Sequence, residues 1–132
     1  MSANSHPSPS PQPARAPRPT PRYLAIWLPH LPTDRLRRQR GGAFCGLPDD
    51  APLVVHERIK SADVLVAVDA AALRLGLRPG LGLADARARL PRLYATSAAP
   101  DADAALLDRI AADCDRYTPL VGRDAPDGVT LD

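Results

Sequence analysis

The side chains in this sequence that could do chemistry are mainly arginines and aspartates. The chain holds 17 Lys and Arg against 15 Asp and Glu, so its formal net charge of +2 says little about partners. Arg35, Arg37, Arg38 and Arg40 cluster in one short predicted helix. Guanidinium groups recognise phosphate well, so this cluster could bind a DNA backbone, or it could be a solvated helix face.

Cysteine and histidine provide no obvious site. The two cysteines and three histidines are scattered, without the spacing of metal ligands or of a nucleophile with its base. We therefore expect no metal ion and no cofactor. The sequence also lacks an apolar stretch long enough for a signal peptide or a membrane span. We therefore predict a cytoplasmic protein with no membrane partner.

The elements that would position the charged residues follow from hydrophobic patterning and turn residues. Residues 64–68 form a continuous apolar run, typical of a buried strand. Asp69 can then cap a short helix over 70–75, which Gly76 ends. The other predicted elements are strands at 23–28, 53–56, 63–68 and 93–96, helices at 35–40, at 83–90 and from Asp101 or Asp103 to about 117, and a hairpin at 120–132 with Pro126-Asp127-Gly128 in or near its turn.

Strands and helices mixed in this order predict an α/β or α+β fold, with a mixed sheet and helices packed mainly on one face. Apolar residues recur at i, i+3 and i+4 along the long helix, from Leu106 to Tyr117, so one face should pack on the sheet. Trp27, on the first strand, is expected in the core. If it is exposed, it could stack on a base or anchor a partner.

The first 22 residues differ from the rest, because proline alternates there with Ser, Ala, Arg and Gln. Such a segment lacks backbone donors and apolar side chains, which predicts a disordered, partly polyproline II tail over 1–22. It could be a PxxP-type ligand, an arginine-assisted nucleic-acid tail or an inert extension. Residues 23–132 are predicted to form a single folded unit.

Several segments carry a family resemblance. Residues 61–91, SADVLVAVDAAALRLGLRPGLGLADARARLP, resemble the palm-to-fingers segment of Y-family (UmuC/DinB-type) translesion DNA polymerases. Residues 23–36, 52–57 and 115–121 resemble the ImuB-like, catalytically degenerate branch of that family. The likeness covers about 22–132 and implies the partial palm and fingers of such a fold, in an N-terminal fragment of an ImuB-like protein.

The resemblance also indicates where polymerase chemistry would lie. Y-family enzymes bind two metal ions with an Asp-x-Asp pair at the end of the first strand and an Asp-Glu pair on a later hairpin. The first pair falls here on Trp27 and Pro29, and the second on Asp127 and Gly128. Asp127 is therefore the remnant candidate for a catalytic carboxylate, although it could equally be an ordinary turn aspartate before glycine.

The family's contacts to the nucleotide triphosphate are replaced as well. The Tyr and Arg that make them fall on Ala70 and Leu73. Arg74 follows directly, and it could be a displaced phosphate contact or a solvated surface residue.

The resemblance thus implies a non-catalytic adaptor, not an enzyme, in the bacterial SOS response to DNA damage and in translesion DNA repair. It implies as partners an ImuA-like protein, a DnaE-type error-prone polymerase and the sliding clamp, and possibly DNA through Arg35, Arg37, Arg38 and Arg74. Two alternatives stay open. The chain could be a fragment of an active error-prone translesion polymerase, or a small Arg-rich interaction domain without a repair role.

Overall fold

A computed structural model describes residues 20–132 of the chain. Within them lie six strands and four helices, in the order β1 Leu24–Trp27, α1 Leu31–Arg38, β2 Leu53–Ile59, β3 Ala62–Val68, α2 Ala70–Arg74, α3 Leu83–Arg89, β4 Tyr94–Ser97, α4 Pro100–Cys114, β5 Val121–Asp124 and β6 Gly128–Leu131. The predicted mixed class is confirmed. Most of the predicted disordered tail, residues 1–19, lies outside the described residues.

The strands divide into two three-stranded sheets, where the sequence predicted one. Sheet A has the order β1-β6-β5 and is antiparallel throughout. Sheet B has the order β3-β2-β4 and is mixed, because β2 pairs antiparallel with β3 and parallel with β4. The division reflects strand pairing. The first strand, β1, pairs with the last strand, β6, whose residues lie more than 100 positions further along the chain, and not with β2, the next strand in sequence.

Two helix starts differ from prediction. Helix α1 begins at Leu31 rather than at Arg35, because Pro32 fits the first turn, where a backbone N–H has no partner inside the helix. The hydroxyl of Thr33 donates a 3.1 Å hydrogen bond to the His30 carbonyl oxygen. Helix α4 begins at Pro100, so Asp101 lies in its first turn and does not cap it, and the helix ends at Cys114 rather than near residue 117.

Each sheet has its own hydrophobic core. Beneath sheet B, β2 and β3 pack on α2 and α3 through the buried residues Val54, Leu65, Val68, Ala72, Leu77, Leu83 and Ala86. Beneath sheet A, β1 and β6 pack on α1 and α4 through the buried residues Leu31, Leu107, Val129 and Leu131. Helices α1 and α4 therefore cover one face of sheet A, and α2 and α3 cover one face of sheet B, while α1 also contacts β2 and β3. No helix within residues 20–132 has the length and hydropathy that crossing a bilayer requires.

Strand β3 is less buried than its apolar run predicted. Only Leu65 and Val68 are buried, whereas the side chain of Val66 is exposed. A continuous apolar run indicates a strand buried on both faces, but α2 and α3 pack on one face of β3. The other face of β3 borders a cavity that forms part of the site described next.

Candidate functional site

Trp27 and Asp127 meet at one corner of sheet A, where β1 ends beside the β5–β6 turn. Trp27 lies opposite Gly128 in the strand register. Its indole Nε1 donates a 3.1 Å hydrogen bond to Oδ2 of Asp127, and the Leu28 amide donates one of 2.9 Å to the Asp127 carbonyl oxygen. The fold thus brings together the positions to which the resemblance assigned the metal-binding carboxylates.

The expectation that Trp27 lies in the core is wrong, since 72% of its surface is exposed. Successive side chains of a strand point to opposite faces of the sheet. Ile26 and its register partner Val129 point toward α1 and α4, so Trp27 points to the open face. Its exposed indole is hydrogen-bonded to the Asp127 carboxylate.

The position of Gly128 leaves no room for a side chain. A Cβ atom there would lie 2.9 Å from the backbone oxygen of Asp124 and 3.0 Å from its Cβ. The β5–β6 hairpin would have to shift before any larger residue fitted. A carboxylate side chain at this position would therefore require the hairpin backbone to move.

The corner retains one carboxylate of the four that the resemblance would require. Trp27, Pro29 and Gly128 have no side-chain oxygen, which Mg²⁺ needs as a ligand. Asp127 lies in the turn, as the sequence predicted. Among residues 20–132, no three side chains of His, Cys, Asp or Glu come close enough together to hold a metal ion.

A cavity of about 510 Å³ opens beside this corner, between sheet B, the N-terminal ends of α1 and α4, and the β5–β6 turn. It brings Pro29, Leu73 and Asp127 together, three positions that the resemblance assigns to metal or triphosphate contacts. Its walls are mainly apolar, and they include Leu31, Val55, Val66, Val68, Leu107 and Pro126. The sequence alone gave no sign of this cavity.

The charged groups around the cavity do not suit a polyanion. Arg123 is paired with Asp108 at 2.7 Å, and Asp103 is paired with Arg35 at 2.6 Å. Glu57 and Asp127 add two further carboxylates to the lining. A triphosphate would therefore meet apolar walls and negative charge, without an unpaired arginine among the lining residues.

His30 is the remaining polar group of the cavity. Its Nδ1 lies 3.0 Å from the backbone oxygen of Val68, so this nitrogen donates the hydrogen bond. In a neutral imidazole ring, Nε2 is then the acceptor. The bond joins the segment between β1 and α1 to the end of β3, and so links the two sheets.

Arg37, one of the predicted DNA contacts, is engaged inside the fold. Its Nη2 lies 2.6 Å from Oδ2 of Asp69, and both side chains are largely buried. Its guanidinium also donates to three carbonyl oxygens of the loop before β2, those of Leu47, Pro48 and Ala51. With its donors used in this way, Arg37 positions α1 against sheet B, and we do not propose it as a DNA contact.

Asp69 is the partner that makes this arrangement possible. Its Oδ1 accepts a 2.8 Å hydrogen bond from the Ala72 amide, which confirms the predicted cap of α2. Its Oδ2 accepts from Arg37 and, at 3.2 Å, from the Leu53 amide. The sequence predicted the cap, but it gave no signal for an ion pair between residues 32 positions apart.

The other candidate arginines lie in two different places. Arg35 is paired with Asp103 of α4, whereas Arg38 and Arg74 are exposed and have no ion pair within residues 20–132. Arg74 follows Leu73, which lines the cavity, while α1 lies on the helical side of sheet A, away from the Trp27 face. That Arg35, Arg38 and Arg74 contact DNA stays a prediction.

The fold is similar to that of solved Y-family DNA polymerases. No protein-family model matches the chain, and no curated protein matches it either. A post-insertion binary complex of Dbh DNA polymerase aligns with a TM-score of 0.68 at 15% identity, over 83% of this chain and 31% of that one. An insertion ternary complex of Dbh DNA polymerase gives 0.64 at 17% identity, over 83% and 31%.

DinB from Sulfolobus solfataricus gives a TM-score of 0.64 at 15% identity, over 83% of this chain and 30% of that one. The chain thus spans about a third of the length of the polymerases that it matches. A shared architecture at this low identity is evidence about fold. The chain has a Y-family DNA polymerase-like fold.

Proposed function

We propose that the chain is a non-catalytic, ImuB-like component of bacterial damage-induced mutagenesis and translesion DNA repair, in which it acts as an adaptor. The observation that supports this best is the contact between Trp27 and Asp127, at the corner where a Y-family enzyme would bind metal ions. A tryptophan occupies that position, and the Asp127 carboxylate accepts its hydrogen bond. Two-metal nucleotidyl transfer needs several carboxylates at such a corner.

The cavity beside the corner supports the same proposal. Leu73 and Pro29 contribute apolar surface where a nucleotide-binding enzyme needs cations and metal ligands. The similarity to Dbh and DinB supports a role connected with DNA damage tolerance. The proposed partners of the chain are an ImuA-like protein, a DnaE-type error-prone polymerase and the sliding clamp, all in the cytoplasm. Exposed Arg74 is the best-placed DNA contact.

A primer-extension assay tests the lack of catalysis. The protein is incubated with primer-template DNA, the four deoxynucleoside triphosphates and either Mg²⁺ or Mn²⁺, with an active Y-family polymerase as positive control. We expect no extension by the wild type. Templated extension that disappears in Asp127→Asn would show catalysis at this corner and would overturn the proposal.

A genetic experiment tests the repair role separately. Deletion of the gene should sharply lower the mutation frequency after ultraviolet exposure and change survival little. The wild-type gene and the Asp127→Asn allele should both restore mutagenesis, because an adaptor does not use that carboxylate for catalysis. An unchanged mutation frequency in the deletion strain would contradict the repair role.

The alternative of an active polymerase fragment makes a different prediction about metal ions. An enzyme with unconventional ligands should bind Mn²⁺ or Mg²⁺ measurably, and Asp127→Asn should weaken that binding. Isothermal titration calorimetry of both proteins separates the two functions. Our proposal predicts the same absence of binding heat for the wild type and for the variant.

A further inference from the structure

A groove of about 920 Å³ runs between α1 and α4, on the helical side of sheet A. Each helix presents to it residues spaced at i, i+3, i+4 and i+7, which is the spacing of one helix face. From α1 and the residues next to it come Leu28, Leu31, Asp34, Arg35, Arg38, Gln39 and Arg40, and from α4 come Ala102, Ala105, Leu106, Arg109 and Ile110. The groove does not include Trp27 or Asp127, and Leu31 is the one residue that it shares with the cavity beside them.

The rim of the groove is cationic. Arg38 and Arg40 on one side and Arg109 on the other are exposed, and none of them has an ion pair within residues 20–132. Asp34 is the one carboxylate among the lining residues. Arg35 is neutralised by Asp103. The unpaired charge along the groove is therefore mainly positive.

The floor of the groove is apolar. Leu31 is buried, while Leu28, Leu106 and Ile110 are only partly covered and form the outer layer of the core beneath sheet A. Ala102 and Ala105 are small, so the two helices leave room between them. A partner that covers these side chains would remove apolar surface from water.

We propose that this groove binds an acidic amphipathic helix, one with an apolar stripe flanked by Asp or Glu residues. The stripe would cover the leucine and isoleucine floor, and the carboxylates would face the three unpaired arginines on the rim. Helix-in-groove recognition uses anchors at i, i+3, i+4 and i+7, the spacing that both walls present. Charge complementarity gives such a partner its orientation.

A nucleic-acid backbone fits the groove less well. Phosphates would pair with the rim arginines, but they would leave the apolar floor uncovered and would approach Asp34. The groove also lies on the opposite side of sheet A from Trp27. A helical partner uses both the charge and the floor, which is why we favour it over DNA.

The groove limits the size of its occupant. Helix α1 has 8 residues, which corresponds to a length of about 12 Å at 1.5 Å per residue. A bound helix would therefore contact the groove over roughly two to three turns. The groove would give the proposed adaptor a docking surface, but helix binding there does not depend on the adaptor role. A failed binding assay would therefore leave the mutagenesis result unaffected.

A fluorescence anisotropy titration tests the inference with a defined probe. The probe is a fluorescein-labelled peptide of about four turns, stapled on its outer face, with leucines at i, i+3, i+4 and i+7 and glutamates flanking them. Two control peptides replace glutamate by lysine or shuffle the leucine spacing. We expect saturable binding of the acidic probe, partly weakened by salt, and much weaker binding of both controls.

Two matched pairs of protein variants locate the site. The double variant Arg38→Glu with Arg109→Glu reverses charge on both walls, while Arg87→Glu with Arg89→Glu makes the same net change at two exposed positions of α3. We expect the first pair to raise the Kd at least about tenfold, a change of 1.4 kcal/mol. The α3 pair should leave the Kd within about twofold of wild type.

The second pair consists of single substitutions, which are less disruptive to folding than the double variants. Ala105→Glu places a carboxylate in the groove, and Ala112→Glu places one elsewhere on the exposed surface of α4. Only Ala105→Glu should weaken binding, with equal circular dichroism spectra for both proteins. Equal affinity in the groove variants and in wild type, equal binding of the control peptides, or no binding at all would overturn the inference. The inference would also be wrong if the acidic probe did not bind and the groove variants lost affinity for duplex DNA.

Discussion

The indole of Trp27 donates its hydrogen bond to the side chain of Asp127, across 100 positions of sequence. Without the family resemblance, each residue has only a local interpretation, as a strand aromatic and as a turn aspartate. Their contact brings both to the corner where a Y-family enzyme would bind its metal ions. The Asp127 carboxylate there accepts a hydrogen bond from a neutral indole N–H.

The Trp27 contact can be followed by fluorescence, because Trp27 is the chain's one tryptophan. Asp127→Ala removes the acceptor, so the ring should move more freely and be quenched more strongly by acrylamide. Asp127→Asn keeps an acceptor oxygen and should behave like wild type. Because the bond is exposed, either change should lower the free energy of unfolding by less than about 1 kcal/mol. Identical quenching in all three proteins would show that the contact does not hold the ring.

Gly128→Ala should destabilise the protein by about 1–3 kcal/mol, since the added Cβ would meet the Asp124 backbone at 2.9 Å. Gly122→Ala is a matched control in the same hairpin. There the nearest atom to a new Cβ is the Thr130 oxygen, at 4.0 Å. Thermal unfolding of the two variants checks the prediction, and an equal melting temperature for both would contradict the steric explanation.

Arg37→Ala should lower the free energy of unfolding by about 3 kcal/mol, because it leaves the buried Asp69 carboxylate without its charged partner. Arg38→Ala removes an exposed arginine from the next position of the same helix and should cost less than about 0.5 kcal/mol. Urea denaturation measures both values. Similar losses for the two variants would mean that the Arg37–Asp69 pair adds no stability of its own.

Leu77→Ala should destabilise the core beneath sheet B by about 2–5 kcal/mol, because Leu77 is fully buried there. Leu75→Ala, at a half-exposed position nearby, should cost much less. The Arg37–Asp69 pair and the His30–Val68 bond join the two sheets, so both should unfold together. Trp27 fluorescence, which reports on sheet A, should therefore shift to the same midpoint as circular dichroism in Leu77→Ala. A fluorescence midpoint that stays at its wild-type value would show that the two sheets unfold independently.

Residues a few positions apart determined much of the local structure. Asp69 caps α2 as predicted, because its carboxylate reaches an amide three residues away. Gly76 ends that helix with a φ of 89°, a conformation that glycine adopts without strain. The strands, helices and final hairpin were recognisable for the same reason, since capping, turn formation and apolar periodicity act over short stretches of chain.

Tertiary structure decided which of these elements meet. Pairing of β1 with β6 separates sheet A from sheet B, turns Trp27 to the open face and places it beside Asp127. Packing of α1 on sheet B gives Arg37 its partner Asp69 and removes it from the exposed arginines. These contacts depend on strand register and on packing between distant segments, and no pattern within a short window of sequence specifies either.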